Sequence, residues 1–393
     1  MKKILFDLTK TQPVNGSKYH GGGKYGLEVF YKLAETAPQS IVGFYNDDLF
    51  IEENVLKICQ KNNIPLIKAS EKSIMDAAKE WGKVIYSPLF DPIYNTDPEV
   101  EVILTIHDMR PLEMVGDTFE KFYKHKRKLV GTILLKLGLS NLRQWLIQKK
   151  KFADTLRSQR DIFTHKNFHI VTVSEHSKSA MQAFVPTLND KDVQVYYAPS
   201  TTKSDFESKN CSNEYGKYYL IVSGNRWLKN GARAMLALDQ LFSERPDFTG
   251  KVVITGLSNL SDITIKFNNP ERFICRGYVD EDELASLYQN AYTLVYPSLN
   301  EGFGYPPMEA MHKGCPVLAS ATASITEICG DSVIYFNPYL INEIKMRILA
   351  LENQDLRNTI IAKGFAREKE IRQKQNSDLE KLCSYILSFG EEQ

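Results

Sequence analysis

This sequence predicts an α/β fold of two doubly wound, Rossmann-like domains, and three observations carry that prediction. Its 393 residues exceed what one ordinary hydrophobic core holds. Short apolar runs rich in Val, Ile, Leu and Tyr alternate with helix-period stretches, the pattern of a parallel sheet covered by helices. Between two such series, Ala198 to Lys217 ("APSTTKSDFESKNCSNEYGK") turns polar and loses periodicity, which marks a linker.

The elements follow in order. "KKILFDL" (2–8) reads as a buried strand, and a long loop, "TKTQPVNGSKYHGGG", leads to a helix from about Tyr25 to Glu35. "QSIVGFYN" is a strand, "EENVLKICQKNN" a helix, and "VIYSP" and "EVILTIHD" are strands. "HIVTVSEHSKSAMQAF" repeats strand, cap and helix, with Ser174 as the cap. The second series runs "YYLIVSG", "NGARAMLALDQLF", "KVVITG", "FICRG", "DEDELASLYQNA", "TLVYPS", "PPMEAMHKG" and "PVLAS". Ligands of such folds bind beyond the C-terminal ends of strands. The domains expected are 1–200, with a basic helical insert at about 119–165, and 217–364, joined by a linker at 201–216. A charged terminal helix spans 365–393.

Composition narrows the function. Six scattered cysteines without a CxxC or a Cys/His cluster read as reduced thiols, with no structural zinc. No window approaches the ~18 apolar residues of a membrane span. "MKKILFDL" reads as a strand, not a leader, so a cytoplasmic protein is expected. Net charge is only +1, yet residues 121–160 hold twelve Lys or Arg against one acid, Asp154. This stretch mixes Leu, Ile and Trp with the cations, as an amphipathic helix on anionic lipid does. A solvated helix pair fits it too. No nucleic-acid motif accompanies it.

The stretch "PSLNEGFGYPPMEAMHKGCP" (297–316) carries the chemistry. It passes from strand to helix, with Pro306 and Pro307 suited to a first helical turn. Gly302 and Gly304 let the backbone approach a ligand, and the helix start favours an anion. Glu309 lies about one turn into the helix, where a carboxylate accepts from ribose hydroxyls. Glu301 precedes the helix, where it accepts from sugar hydroxyls. A capped helix with solvated acids fits the same local pattern. Arg226 and Lys229, after the first strand of the second series, can converge on one diphosphate and neutralise a departing nucleotide. "GGGKYG" (21–26) fits G-x-G-x-x-G, but some twelve residues separate it from Asp7, against a dinucleotide site. His107 and Asp108 follow a strand directly.

The Glu301–Glu309 spacing is E-x7-E, and "EGFGYPPMEAMHKGCPVLAS" resembles the signature of retaining glycosyltransferases of family 4. "GYVDEDELASLYQNA" before it and "SITEICGDSVIYFNP" after it are similar to the flanking segments of that family, in the same order. The resemblance implies the GT-B fold, two Rossmann-like domains facing a central cleft, with the last helix crossing back to the first domain. It implies that Glu309 binds the donor ribose and Glu301 the donor sugar. Arg226 and Lys229 would hold the diphosphate, with a spacing that departs slightly from the commoner form. Gly22 and Gly23 would approach the donor phosphates. His107 would bond the donor sugar, and Asp108 would orient the acceptor hydroxyl or take its proton. Gly302, Phe303, Gly304 and Tyr305 complete the donor loop, and the base would stack near "CRGYV", beside Tyr278.

The expected enzyme moves a hexose from a nucleotide diphospho-sugar, with retention and without a metal or cofactor. GDP-mannose or dTDP-rhamnose is favoured over a UDP-hexose, and the acceptor is a growing, lipid-linked surface polysaccharide. The basic insert adds an expected peripheral position on the inner face of the cell membrane. The alternatives are a nicotinamide-dependent oxidoreductase, suggested by "GGGKYG", and a non-catalytic membrane-surface subunit.

Overall fold

The computed structural model describes residues 2–13, 21–123, 140–201 and 213–391. The chain divides into two compact units, one of Met1–Met109, Leu156–Lys203 and Arg372–Gln393, the other of Arg110–Thr155 and Ser204–Ile371.

The first unit is built on seven parallel strands. They are β1 (Ile4–Asp7), β2 (Ile41–Tyr45), β3 (Leu66–Lys68), β4 (Val84–Ser87), β5 (Glu101–Thr105), β6 (Phe168–Thr172) and β7 (Val193–Val195). Their order is β3-β2-β1-β4-β5-β6-β7. Every residue of β1 and β4 is buried, as expected of central strands covered on both faces. The helix Gly21–Thr36 begins four residues earlier than its apolar period announces, because the three glycines form its first turn. The terminal segment belongs here through Asp378, which accepts from the Tyr197 N–H at 3.0 Å, and Gln375, which donates to the Ala198 carbonyl at 2.6 Å.

The second unit has six parallel strands, β8 (Tyr218–Ile221), β9 (Lys251–Thr255), β10 (Phe273–Gly277), β11 (Thr293–Tyr296), β12 (Val317–Ser320) and β13 (Ile334–Phe336). Their order is β10-β9-β8-β11-β12-β13. Asp280 caps the helix Glu281–Asn290 and three acids fill its first turn, so "DED" serves the helix dipole.

One boundary differs from expectation. The described residues 110–123 and 140–155, expected within the first domain, belong to the second unit. The cause is a polar latch with an apolar anchor. Arg233 grips Asp117 with two bonds of 2.9 Å, and its guanidinium lies 3.9 Å from the Phe119 ring centre. Tyr123 is buried in the second unit's core and accepts from the Ala232 N–H. Part of the basic insert, 124–139, and most of the linker, 202–212, lie outside the described residues.

Candidate active site

Strand order decides where the second unit can build a site. β8 and β11 are neighbours, and the chain leaves them toward opposite sides of the sheet, so their C-terminal ends frame a crevice. Arg226 and Lys229 follow β8, and Glu301 follows β11. The structure brings Lys229 and Glu301 into a direct ion pair, with side chains 11% and 8% exposed. The same carboxylate oxygen, Oε1, accepts from the Tyr296 hydroxyl at 2.6 Å and from Ser298 Oγ. Burial pushes the Glu301 carboxyl up, but Lys229, Arg110 and the bonds from Lys229 and Ser298 outweigh it and hold the group at about 2. Lys229 is held below its ordinary value by burial, against the pull of Glu301, with Arg226 and Arg110 adding repulsion. Arg226 itself is exposed.

The loop after β11 is fixed at several points. Ser324 Oγ lies 2.9 Å from the carbonyls of both Glu301 and Phe303. Gly304 adopts φ 113°, ψ 58°, a conformation that favours glycine, and the helix Tyr305–His312 follows at once. Pro306 and Pro307 carry no N–H, so they offer no backbone donor to an anion at this helix start, which leaves that task to Tyr305 and the preceding loop. Phe303 is buried against Tyr305, with ring centres 5.5 Å apart. Glu309, one turn along, is half-buried and accepts from the Tyr288 hydroxyl at 3.0 Å. Tyr278, just beyond β10, is 71% exposed and offers an uncovered ring face.

In the first unit, β1 and β4 form the corresponding switch point. The loop after β4 gathers two expected site residues. His107 Nε2 lies 2.9 Å from the Pro88 carbonyl, which can only accept, so this nitrogen carries the proton. A Cβ on Gly22 would meet Leu89 Cδ2 at 2.8 Å. Gly23 is buried beside it in the same helical turn. The His107 ring stands edge-on to Tyr25, centres 4.7 Å apart, and Tyr25 shares a buried hydroxyl cluster with Tyr86 and Thr105. Ser174 caps its helix as expected, and Ser177 donates to the His107 carbonyl at 2.8 Å. Asp108 is half-buried just past β5.

Several residues of the second unit's site escaped the sequence reading. Tyr296 and Ser298 alternate along an extended segment, a period-2 spacing that places both on one side and could have flagged them. Arg110, Tyr288 and the Asp117–Arg233 latch carry no local signal. Among the described residues, no group of three or more His, Cys, Asp or Glu could hold a metal ion. None of their helices is long and apolar enough to cross a membrane.

Residues 203–367 match the family model described as Glycosyl transferases group 1. The chain carries a group 1 glycosyltransferase domain. That domain covers Arg226, Lys229, Glu301 and Glu309. The chain is similar to O-antigen chain mannosyltransferase B of Escherichia coli, 29% identical over 213 residues, covering 51% of this chain and 56% of the relative. It is also similar to O-antigen chain mannosyltransferase RfbU of Salmonella typhimurium, 26% identical over 239 residues, covering 60% of this chain and 56% of the relative. The chain therefore spans little more than half the length of these relatives. Sucrose-phosphate synthase from Thermosynechococcus elongatus superposes with a TM-score of 0.68 at 14% identity, covering 99% of both chains. The group 1 domain is thus the second Rossmann-like half of a GT-B fold.

Proposed function

We propose that this chain is a retaining, family 4 mannosyltransferase of surface-polysaccharide synthesis, using GDP-mannose as donor. The observation that carries the reading is the buried Lys229–Glu301 pair at the β8/β11 switch point, beside Arg226 and in the loop that leads into the helix of Glu309. Sugar transfer breaks the bond between the hexose and a diphosphate, and charge grows on the phosphate that leaves. Arg226, Lys229 and the backbone of Gly302–Tyr305 supply positive potential where that charge develops, so the reading needs no metal. Glu301, ionised at any pH near neutrality, accepts from a hexose hydroxyl and cannot donate a proton to the leaving group. Glu309, steadied by Tyr288, accepts from the ribose, and the exposed Tyr278 ring takes the base. In the first unit the proposed roles are phosphate approach for Gly22 and Gly23, a sugar contact for His107 and the acceptor hydroxyl for Asp108.

The mannosyl donor and polysaccharide acceptor rest on the names of the two similar O-antigen enzymes. A lipid-linked acceptor and attachment to an anionic membrane rest on the basic stretch at 121–160. Thermal shift with GDP-mannose, dTDP-rhamnose, UDP-glucose and NAD separates the readings, since a ligand in large excess over its Kd stabilises by several kcal/mol. GDP-mannose should raise Tm and NAD should not; the opposite result would restore the oxidoreductase alternative. Glu309→Ala and Lys229→Ala should each cut mannosyl transfer about a hundredfold or more with the circular dichroism unchanged. Wild-type turnover in both would refute the assignment.

A further inference from the structure

The Glu301 carboxylate is used asymmetrically. Oε1 accepts from Lys229 Nζ, Tyr296 OH and Ser298 Oγ, whereas no described residue donates to Oε2. One of the three donors has a second anion to serve. Lys229 reaches the carboxylate on a long side chain from a single 3-10 turn, and a diphosphate arriving at Arg226 competes for its charge. The other two donors stand on fixed backbone. Tyr296 is the last residue of β11, pairs with Ala319 of β12, and is 1% exposed. Its phenol is pushed well above the ordinary value, by burial first and the Glu301 charge second, so it remains a donor. Ser298 is fully buried, and its carbonyl accepts from Ser320 Oγ and from Thr322 Oγ1.

We propose that Tyr296 and Ser298 are positioning residues that hold Glu301 Oε1 when Lys229 turns to the diphosphate, keeping Glu301 ionised with Oε2 aimed at one donor hydroxyl. The proposal rests on the donor-site roles given above for Lys229 and Glu301. Lys229 and then Arg110 are the strongest charges acting on Glu301, so once Lys229 is engaged elsewhere Arg110 and the two hydroxyls are left as main opponents of the cost of burial. Glu301 then offers a single acceptor atom. A sugar lacking the hydroxyl at that place leaves a buried anion unpaired, which turns a hydrogen bond into a specificity filter.

The test separates this idea from the reading beneath it. In the full chain with carbon-13-labelled glutamate, the Glu301 carboxyl resonance is assigned by its loss in Glu301→Gln. Lys229→Met imitates the departed lysine. Adding Tyr296→Phe to it should raise the Glu301 titration midpoint by about one pH unit or more. An unchanged midpoint overturns the proposal without reference to any substrate. With GDP-mannose, Tyr296→Phe alone should lower kcat/KM roughly tenfold, with the loss growing toward acid pH, and should cost nothing further in a Glu301→Gln background. Equal losses in both backgrounds would make Tyr296 a packing residue only. Full turnover in Glu301→Gln would sink the functional reading instead, while the titration still decides the local one.

Discussion

Replacing Asp117 by alanine should damage the second unit more than its place in a loop suggests. In the fold, the Asp117 and Arg233 side chains are 7% and 5% exposed and joined by two bonds of 2.9 Å. Asp117→Ala leaves the guanidinium buried with Asn230 Oδ1 at 2.8 Å and the Phe119 ring as its remaining strong contacts. Removing one partner of a buried pair costs about 3–5 kcal/mol. The retained contacts place this case near the lower end, about 3 kcal/mol, or roughly two orders of magnitude in the folded-to-unfolded ratio. For a unit of this size that is a fall in Tm of roughly 6–12 °C. Urea denaturation followed by tryptophan fluorescence and calorimetry measures it. Arg233→Met in the Asp117→Ala background should recover most of the loss, because a buried pair and an apolar substitute nearly break even. A single-variant loss under about 1 kcal/mol, or a double variant no better than the single, refutes the latch. Donor turnover should fall as well. Asn230, which Arg233 holds, follows Lys229 directly and also donates to the carbonyls of Pro297 and Pro338.

The pH dependence of stability should carry the signature of Glu301. Its carboxyl is lowered from an ordinary 4.5 to about 2 in the fold. A lowered group stabilises fully above its unfolded value and loses that contribution as pH falls through the folded one. Glu301→Gln should therefore be least stable relative to wild type above about pH 4.5, and the gap should close toward pH 2, as read from urea midpoints. A gap that does not change with pH would contradict the assignment of the shift to this residue. Gly304→Ala meets no neighbour within 4 Å but inherits φ 113°, so its cost of about 1–3 kcal/mol by thermal unfolding is backbone strain alone. In the first helix, Gly26→Ala drives a Cβ to 2.8 Å from Pro88 Cγ and 3.0 Å from Thr11 Cγ2, and should destabilise by about 1–3 kcal/mol. Gly21→Ala meets open space and should be neutral or stabilising by up to about 1 kcal/mol; the reverse ranking would overturn the packing argument.

Much of this protein was legible locally. Buried runs such as "ILFD" and "VIYS" announced central strands, because a strand covered on both faces must be apolar throughout. Ser174 announced its helix, because a cap satisfies N–H groups a few residues away. The Glu301–Glu309 spacing marked the loop that joins β11 to the helix Tyr305–His312. The start of the helix at Gly21 was harder to see, since glycines carry no apolar period.

By itself, then, the sequence determined the two α/β halves, the elements within them and the residue types from which a sugar-nucleotide site can be made. Only the tertiary structure decided which of those residues meet. Lys229 reaches Glu301 across 72 positions because β8 lies beside β11, and Arg233 claims Asp117 across 116, drawing residues 110–123 into the second unit. The physical reason is that periodicity and capping record interactions within a turn or two of chain. Strand order and the pairing of buried charges are settled by the packing of the whole unit, and no local pattern records them.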